Sequence, residues 1–352
     1  MNKEIVQLTV TLAALMAALI WSAVQSLGFG VIDISFLDIA RMLYYQSLGV
    51  HTPEALQLLE SVQCDVIFDL RLPRVMMAII CGGGLALGGV VMQAVIRNPL
   101  ADPYILGVSS GAALGATASI ILGAFSLFGI YGVSVGAFLG AVAVTFTVFA
   151  ITFSTTGGRN TTKLILTGTA LNAVCSACTS MIVYMAKDVE GIRNAAFWIM
   201  GSMARTSWDG IPLALGLLVA GCLYFIYQYR VLNASLLGDE MAVILGIQLE
   251  NKRKIYLLLV AVMISSIVAM TGIIGFVGLV IPHIVRIIYG NNHIKLLPVA
   301  IIAGAIYMVW SDVFARTVLV NTEIPIGILT SLIGGPFFLY LMLSKKYGYG
   351  DS

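Results

Sequence analysis

Three residue patterns in this 352-residue chain have types and spacings that could carry chemistry. The first is cationic: Arg71 and Arg74 bracket Pro73, and Arg316 stands one helical turn after Asp312. Guanidiniums offer forked donors that match carboxylates, so three together form a basic rim on which an acidic partner could dock. Two cations at a helix start also oppose the positive end of its dipole, and carboxylates from elsewhere would relieve them. The same residues have a plainer reading, since interface arginines snorkel and Pro73 suits the first position of a helix. The second pattern is nucleophilic. Gly107-Val108-Ser109-Ser110-Gly111 fits G-x-S-x-G, with His283 as an imaginable base. Gly132-Val133-Ser134-Val135-Gly136 fits it equally, and neither serine has a strand–turn–helix context, so a glycine-rich chain accounts for both. The third is the thiol pair Cys175 and Cys178, which inside an apolar helix reads as packing. Of the remaining cysteines, Cys64, Cys81 and Cys222, only Cys64 falls in a long loop, which argues against a disulfide framework. No metal site is expected.

The elements that position these residues are membrane helices. The chain is 59% hydrophobic and 10% charged, and apolar runs recur at lengths that cross about 30 Å of hydrocarbon. The expected fold is an all-α polytopic membrane protein, one transmembrane domain over 1–352. Its ten spans lie near 6–29, 73–95, 104–124, 129–152, 164–186, 211–230, 255–272, 274–289, 296–316 and 325–344. The first run is too long for a signal-peptide core and lacks a clean cleavage site, so it is read as a retained helix. No clustered basic face suggests nucleic-acid binding.

Charge gives the orientation. With the N-terminus inside, inner segments hold Lys3, Arg97, Arg159, Lys163, Arg230, Lys252, Arg253, Lys254, Arg286, Lys295, Lys345 and Lys346. Outer segments hold Arg41, Arg71, Arg74, Lys187, Arg193, Arg205 and Arg316, while most carboxylates, Asp33, Asp38, Glu54, Glu60, Asp65, Asp69, Asp188 and Glu190 among them, lie outside. That bias places both termini in the cytoplasm.

Within this frame the segment Arg97-Asn98-Pro99-Leu100-Ala101-Asp102-Pro103 is a rigid polar corner on the inner side, because two prolines stop any helix there. Asn98 and Asp102 could simply satisfy backbone donors, or Asn98 and Leu100 could face a pore as a gate. Between the sixth and seventh spans, residues 236–247 read as a short amphipathic cytoplasmic helix. Asp239 and Glu240 suit its start, Gly246 its end, and Leu237, Met241, Ile244 and Leu245 share a face suited to a partner's groove. Gly107, Gly111 and Gly115, and again Gly132, Gly136 and Gly140, recur at spacing four and predict closely packed helices. Pro282 predicts a kink, and Glu323-Ile324-Pro325-Ile326-Gly327 reads as a capped start for the last span.

These stretches, in this order and spacing, resemble the FecCD-type permeases of binding-protein-dependent ABC importers for iron–siderophores, haem and vitamin B12. RNPLADPYILGVSSGA (97–112) and GFVGLVIPHIVR (275–286) carry the resemblance, which runs from about Arg71 to Leu343. It implies a homodimer with its pore on the two-fold axis, two separate ATPase subunits that bind ATP and magnesium, and a periplasmic or lipid-anchored substrate-binding protein. By position, Arg71, Arg74 and Arg316 correspond to residues that meet carboxylates on that binding protein. Gly238, Asp239, Glu240, Met241, Ala242, Leu245 and Gly246 correspond to the helix that sits in the ATPase groove. Asn98 and Leu100 correspond to one layer of the cytoplasmic gate, with Thr161 and Thr162 as a looser second layer. Two departures stand out. Gly290–Lys295 lacks the acidic–basic run common in the family, and Asn172 replaces a small residue in the fifth span.

The chain contains no G-x-x-x-x-G-K-[ST], so energy from ATP would have to arrive mechanically. The rival expectation, an ion-coupled secondary transporter, would show broken helices in paired halves and midplane acids, whereas the lone mid-span carboxylate, Asp312, lies near an outer end.

Overall fold

A computed structural model describes residues 3–30, 32, 34–49, 52–154, 161–319 and 322–343; Arg159, Lys345, Lys346 and Asp33, used above for orientation, lie outside them. The described residues form helices and turns with no strand. The first helix is α1 (Lys3–Gly28), followed by three short ones, α2 (Phe36–Leu48), α3 (Pro53–Leu59) and α4 (Val62–Asp65). Then come α5 (Leu72–Ile96), α6 (Val108–Leu122), α7 (Gly132–Phe153), α8 (Thr161–Met185) and α9 (Val189–Ile199). The second half holds α10 (Ile211–Tyr227), α11 (Tyr229–Leu237), α12 (Asp239–Ile244), α13 (Leu249–Thr271), α14 (Val277–Tyr289), α15 (His293–Thr317) and α16 (Ile326–Leu343). Seven helical stretches are long and apolar enough to cross a membrane, and α6, α14 and α16 are shorter apolar helices. Together they match the ten expected spans to within several residues. Of the helices as bounded here α13 differs most, beginning six residues earlier than the apolar run, on the polar turn Leu249–Lys254.

α5 is the central pillar, because its side chains are small enough to let three neighbours approach. A methyl at Gly82 would collide with the Gly304 carbonyl of α15, and one at Gly89 with that of Gly278 in α14. The expected glycine stripes pair across α6 and α7: Gly111 faces Gly140 and Gly115 faces Gly136, backbone on backbone. Without a hydrophobic drive between helices in lipid, such contact is where packing attraction is gained.

Pro73 stands in the first turn of α5, but the helical path does not start afresh there. α4 and α5 are joined by a π-helical turn, Val66–Arg71, in which the Leu72 amide bonds the Ile67 carbonyl. Proline lacks a donor and crowds the carbonyl four residues back, and the wider turn relieves that crowding. The chain therefore runs helically from Val62 to Ile96.

α6 and α14 have 15 and 13 residues, about 22 and 20 Å, too short for the full hydrocarbon thickness. The segments before them dip inward. Pro103 packs against Gly88, eight residues before the end of α5, about 12 Å below that end. Irregular backbone at such depth must be satisfied by protein. Tyr104 does this: its hydroxyl donates to the Ile274 carbonyl at 3.0 Å and accepts from the Ile274 amide at 3.3 Å.

Candidate functional site

The arginines come together, but not as an open rim. α1 ends at Gly28 with orphan carbonyls carrying the negative end of its dipole. Arg71 donates from Nη1 to the Leu27 carbonyl at 2.5 Å and from Nη2 to the Ile32 carbonyl at 2.5 Å, while Arg316 Nη2 donates to the Ser26 carbonyl at 2.8 Å. Gly30 lies over the Arg71 guanidinium, and a methyl there would sit 2.6 Å from Nη2. Arg74 Nε donates to Asp312 at 2.7 Å and its Nη1 to Glu323 at 2.9 Å. Arg316 makes a longer ion contact of 3.5 Å with the same Asp312, as its one-turn spacing led us to expect. All three arginines are buried, at 6%, 8% and 8% exposure. At the start of α5 this chain itself thus supplies carboxylates to Arg74 and backbone carbonyls to Arg71. Glu323 does not cap the last helix. Its first amides bond backbone instead, Ile326 to the Gly201 carbonyl at 3.0 Å and Gly327 to that of Met200 at 3.1 Å.

At the opposite end of the bundle, Arg97 closes α5 in the left-handed region, with φ of 54°. The Asn98 side chain accepts from the Leu100 amide at 2.9 Å, and Asp102 accepts from the Tyr104 amide at 2.8 Å. Both make the local turn bonds of the plainer sequence reading. Leu100 is half-buried, as is Thr161, whereas Thr162 is exposed. The dipping connector, α6, α8 and the start of α14 line an open-sided cavity of about 410 Å³, whose lining includes Asp102, Ser109, Thr169, Asn172 and Phe276. A second cavity, about 460 Å³, lies near the arginine end and is lined in part by Tyr131, Trp198, Arg205 and Glu323.

The helix expected within 236–247 is present as α12, shorter than expected, ending before Gly246 at φ of 74°. Leu237, Met241, Val243, Ile244 and Leu245 are all exposed. Asp239 is gripped by Arg253 at the start of α13, with contacts of 3.0 and 2.5 Å. Arg97 approaches the same carboxylate at 3.7 Å. Glu240 and Gly238 complete the turn, and Ala242 is buried against neighbouring segments.

α8 is a membrane-length helix with little of itself buried. Leu164, Gly168 and Cys175 face inward, whereas Thr162, Thr169, Asn172, Ser176 and Ser180 fall on an exposed stripe at helical spacing. Thr169 bonds back to the Ile165 carbonyl at 2.8 Å, but the Asn172 amide has no partner among the described residues. In the sequence the core of the stripe is four polar residues, Thr169, Asn172, Ser176 and Ser180, three, four and four apart. The described cysteines are all free thiols, and no three His, Cys, Asp or Glu side chains gather as metal ligands among the described residues. Ser110 donates to the Gly107 carbonyl inside a helical start, leaving G-x-S-x-G without its strand.

The FecCD transport family model matches residues 15–344. The chain belongs to the FecCD transport family. It is 38% identical over 344 residues to the hemin transport system permease protein HmuU of Yersinia pestis, covering 97% of each chain. Against the cobalamin import system permease protein BtuC of Halobacterium salinarum it is 39% identical over 281 residues, 80% of this chain and 74% of that one. A solved structure, an inward-facing conformation of a metal-chelate-type ABC transporter, is 35% identical and superposes with a TM-score of 0.81 over 94% of this chain and 98% of that one. This FecCD protein is therefore an integral membrane permease subunit of the ABC import type. It is a conduit rather than an enzyme, with ATP hydrolysis belonging to a separate subunit.

Proposed function

We propose that this chain is one half of a homodimeric permease that passes a bulky metal chelate, of the haem or corrinoid class, into the cell. The observation that carries the reading is Asn172, at the middle of α8 on an exposed face. An amide has two donors and an acceptor, and lipid can satisfy none of them. The face therefore belongs against water or protein, which a second copy and an aqueous path between the two copies supply. Thr162, Thr169, Ser176 and Ser180 continue that wet stripe, while α1, with exposed Ile5, Val10, Ile20 and Trp21, faces lipid.

Asn98 and Leu100, with Thr161 and Thr162, form the gate at the cytoplasmic mouth. The termini are both cytoplasmic. The exposed apolar face of α12 docks in a groove on each of two ATPase subunits, which bind ATP and magnesium. A periplasmic or lipid-anchored binding protein docks at the arginine end. Arg74 is the arginine best placed to meet its carboxylates, because Glu323 is 43% exposed and can exchange for an incoming acid; Arg71 and Arg316 hold the platform behind it. The cargo class is that named for the relatives, haem for HmuU and cobalamin for BtuC.

Reconstitution with its ATPase and binding protein tests the reading, with hemin and cyanocobalamin as the probes. Uptake of one probe that requires ATP and drops at least about tenfold in Asn172→Leu is expected. Uptake by the permease alone under an ion gradient, or an Asn172→Leu variant as active as the parent, would overturn it.

A further inference from the structure

Asp239 is shared between two arginines that belong to different parts of the fold. Arg253 stands in the first turns of α13, and its fork closes on both carboxylate oxygens at 3.0 and 2.5 Å. That contact fixes α12 to the helix that follows it. Arg97 stands at the end of α5, where the dipping connector begins, and its Nη2 reaches Oδ1 of the same carboxylate at 3.7 Å. The first contact is short and mostly shielded, with the Arg253 side chain 14% exposed. The second is long and wet, with side chains 41% and 30% exposed. Gly238 makes the approach possible: it has φ of 101°, and a methyl on it would lie 3.2 Å from Arg97 Nη1. Arg97 itself accepts a left-handed backbone to point this way, a conformation that costs a non-glycine residue energy.

From Arg97 the chain is stiff all the way to the cavity. Asn98 and Asp102 lock the turns, Pro99 and Pro103 fix two φ angles, and Pro103 lies against Gly88 and Gly278. Tyr104 then holds the backbone of Ile274, immediately before the Gly275 and Phe276 that line the cavity. A displacement of α12 therefore has a physical route to the conduit, and its first link is an ion pair able to tighten or part.

We propose that Asp239 and Arg97 form the transmission contact through which movement of α12 reaches the 97–106 connector, Arg253 being the fixed anchor. Both are positioning residues; neither touches nucleotide or cargo. The inference rests on the ATP-driven reading above.

The test is hydrogen–deuterium exchange on the intact permease–ATPase complex, with and without ATP and magnesium. In the parent, ATP alters exchange in both 237–246 and 97–106. In Arg97→Ala, 237–246 still responds, whereas the response at 97–106 falls by about fivefold or more, the low end of a typical coupling between sites. Arg97→Lys, which keeps the charge, recovers part of it. Arg97→Ala combined with Asp239→Asn loses no more than either alone, as expected for two residues acting through one contact. Should Arg97→Ala not fold, Asp239→Asn keeps shape and removes the charge, and carries the same expectation at 97–106. A response at 97–106 that survives in both variants overturns the relay alone. A parent complex with no ATP response in either segment overturns the ATP-driven reading and the relay with it.

Discussion

The two ends of this bundle use the same device, an aspartate shared by two arginines, and bury it differently. At one end Asp312 is 1% exposed, between Arg74 and Arg316, which are themselves nearly closed off. At the other, Asp239 is 30% exposed, and one of its arginines stands 41% in the open. Coulomb attraction grows as water is excluded, and so does the penalty for leaving a charge unpaired. The buried set is therefore a clasp that binds α1, α5, α15 and the approach to α16 into one block. The open set pins α12 to α13 through Arg253 and leaves its contact with Arg97 long and wet.

The comparison breaks most sharply at Asp312. Asp312→Ala leaves two buried guanidiniums facing each other without their shared counter-charge. Loss of one partner from a buried pair costs about 3–5 kcal/mol, and detergent-phase thermal unfolding should register it as a large drop. A variant as stable as the parent would mean the clasp is solvated after all. Next is Arg71→Met, which keeps much of the side chain's bulk but strands the carbonyls of Leu27 and Ile32. Charged hydrogen bonds of this kind contribute about 1.5–3 kcal/mol. The expected sign is faster proteolytic cleavage in the link between α1 and α2, with the remaining helices still protected.

The open end should give little by the same measure. Arg97→Ala is expected to shift unfolding by about 1 kcal/mol or less, since exposed pairs contribute about 0–1 kcal/mol and salt screens them. Its consequence belongs to signalling along the chain rather than to stability. A loss as large as that of Asp312→Ala would erase the distinction between the two ends.

How much of this was legible beforehand follows from which interactions are local. Helix existence depends on runs of apolar residues, and all ten spans are found near the expected limits. The glycine stripes announce a close helix pair but not its register: matching all three glycines would set Gly111 against Gly136, whereas Gly111 faces Gly140 and Gly115 faces Gly136, with Gly107 against Val144. Arg316 with Asp312 was readable because four residues separate them. The fate of Arg71 and Arg74 was not, since their partners are 39 to 249 residues away along the chain. A cationic cluster at a span's mouth looks the same in sequence whether its acids belong to this chain or another. The dip at Pro103 was hidden for a related reason. Two prolines announce a break, but its depth depends on Gly88 leaving room beneath it.

The finest test of the contrast lies at the edge of the clasp itself. Glu323 shares Arg74 with Asp312, yet its side chain is 43% exposed against 1% for the aspartate, so one arginine holds both kinds of contact at once. Glu323→Gln keeps a carbonyl acceptor for Arg74 and removes only the charge. Its expected cost in unfolding is the smallest of the set, below about 1 kcal/mol, because water already screens that side of the pair. If the Glu323 side of Arg74 is where an acidic protein lands, the same change removes a competitor, and association with the binding protein should strengthen and become more sensitive to salt. Titration of the reconstituted permease with the binding protein at low and physiological salt measures both. Weaker association in Glu323→Gln would place the carboxylate among the docking contacts themselves, and Arg74 would then be a purely internal anchor.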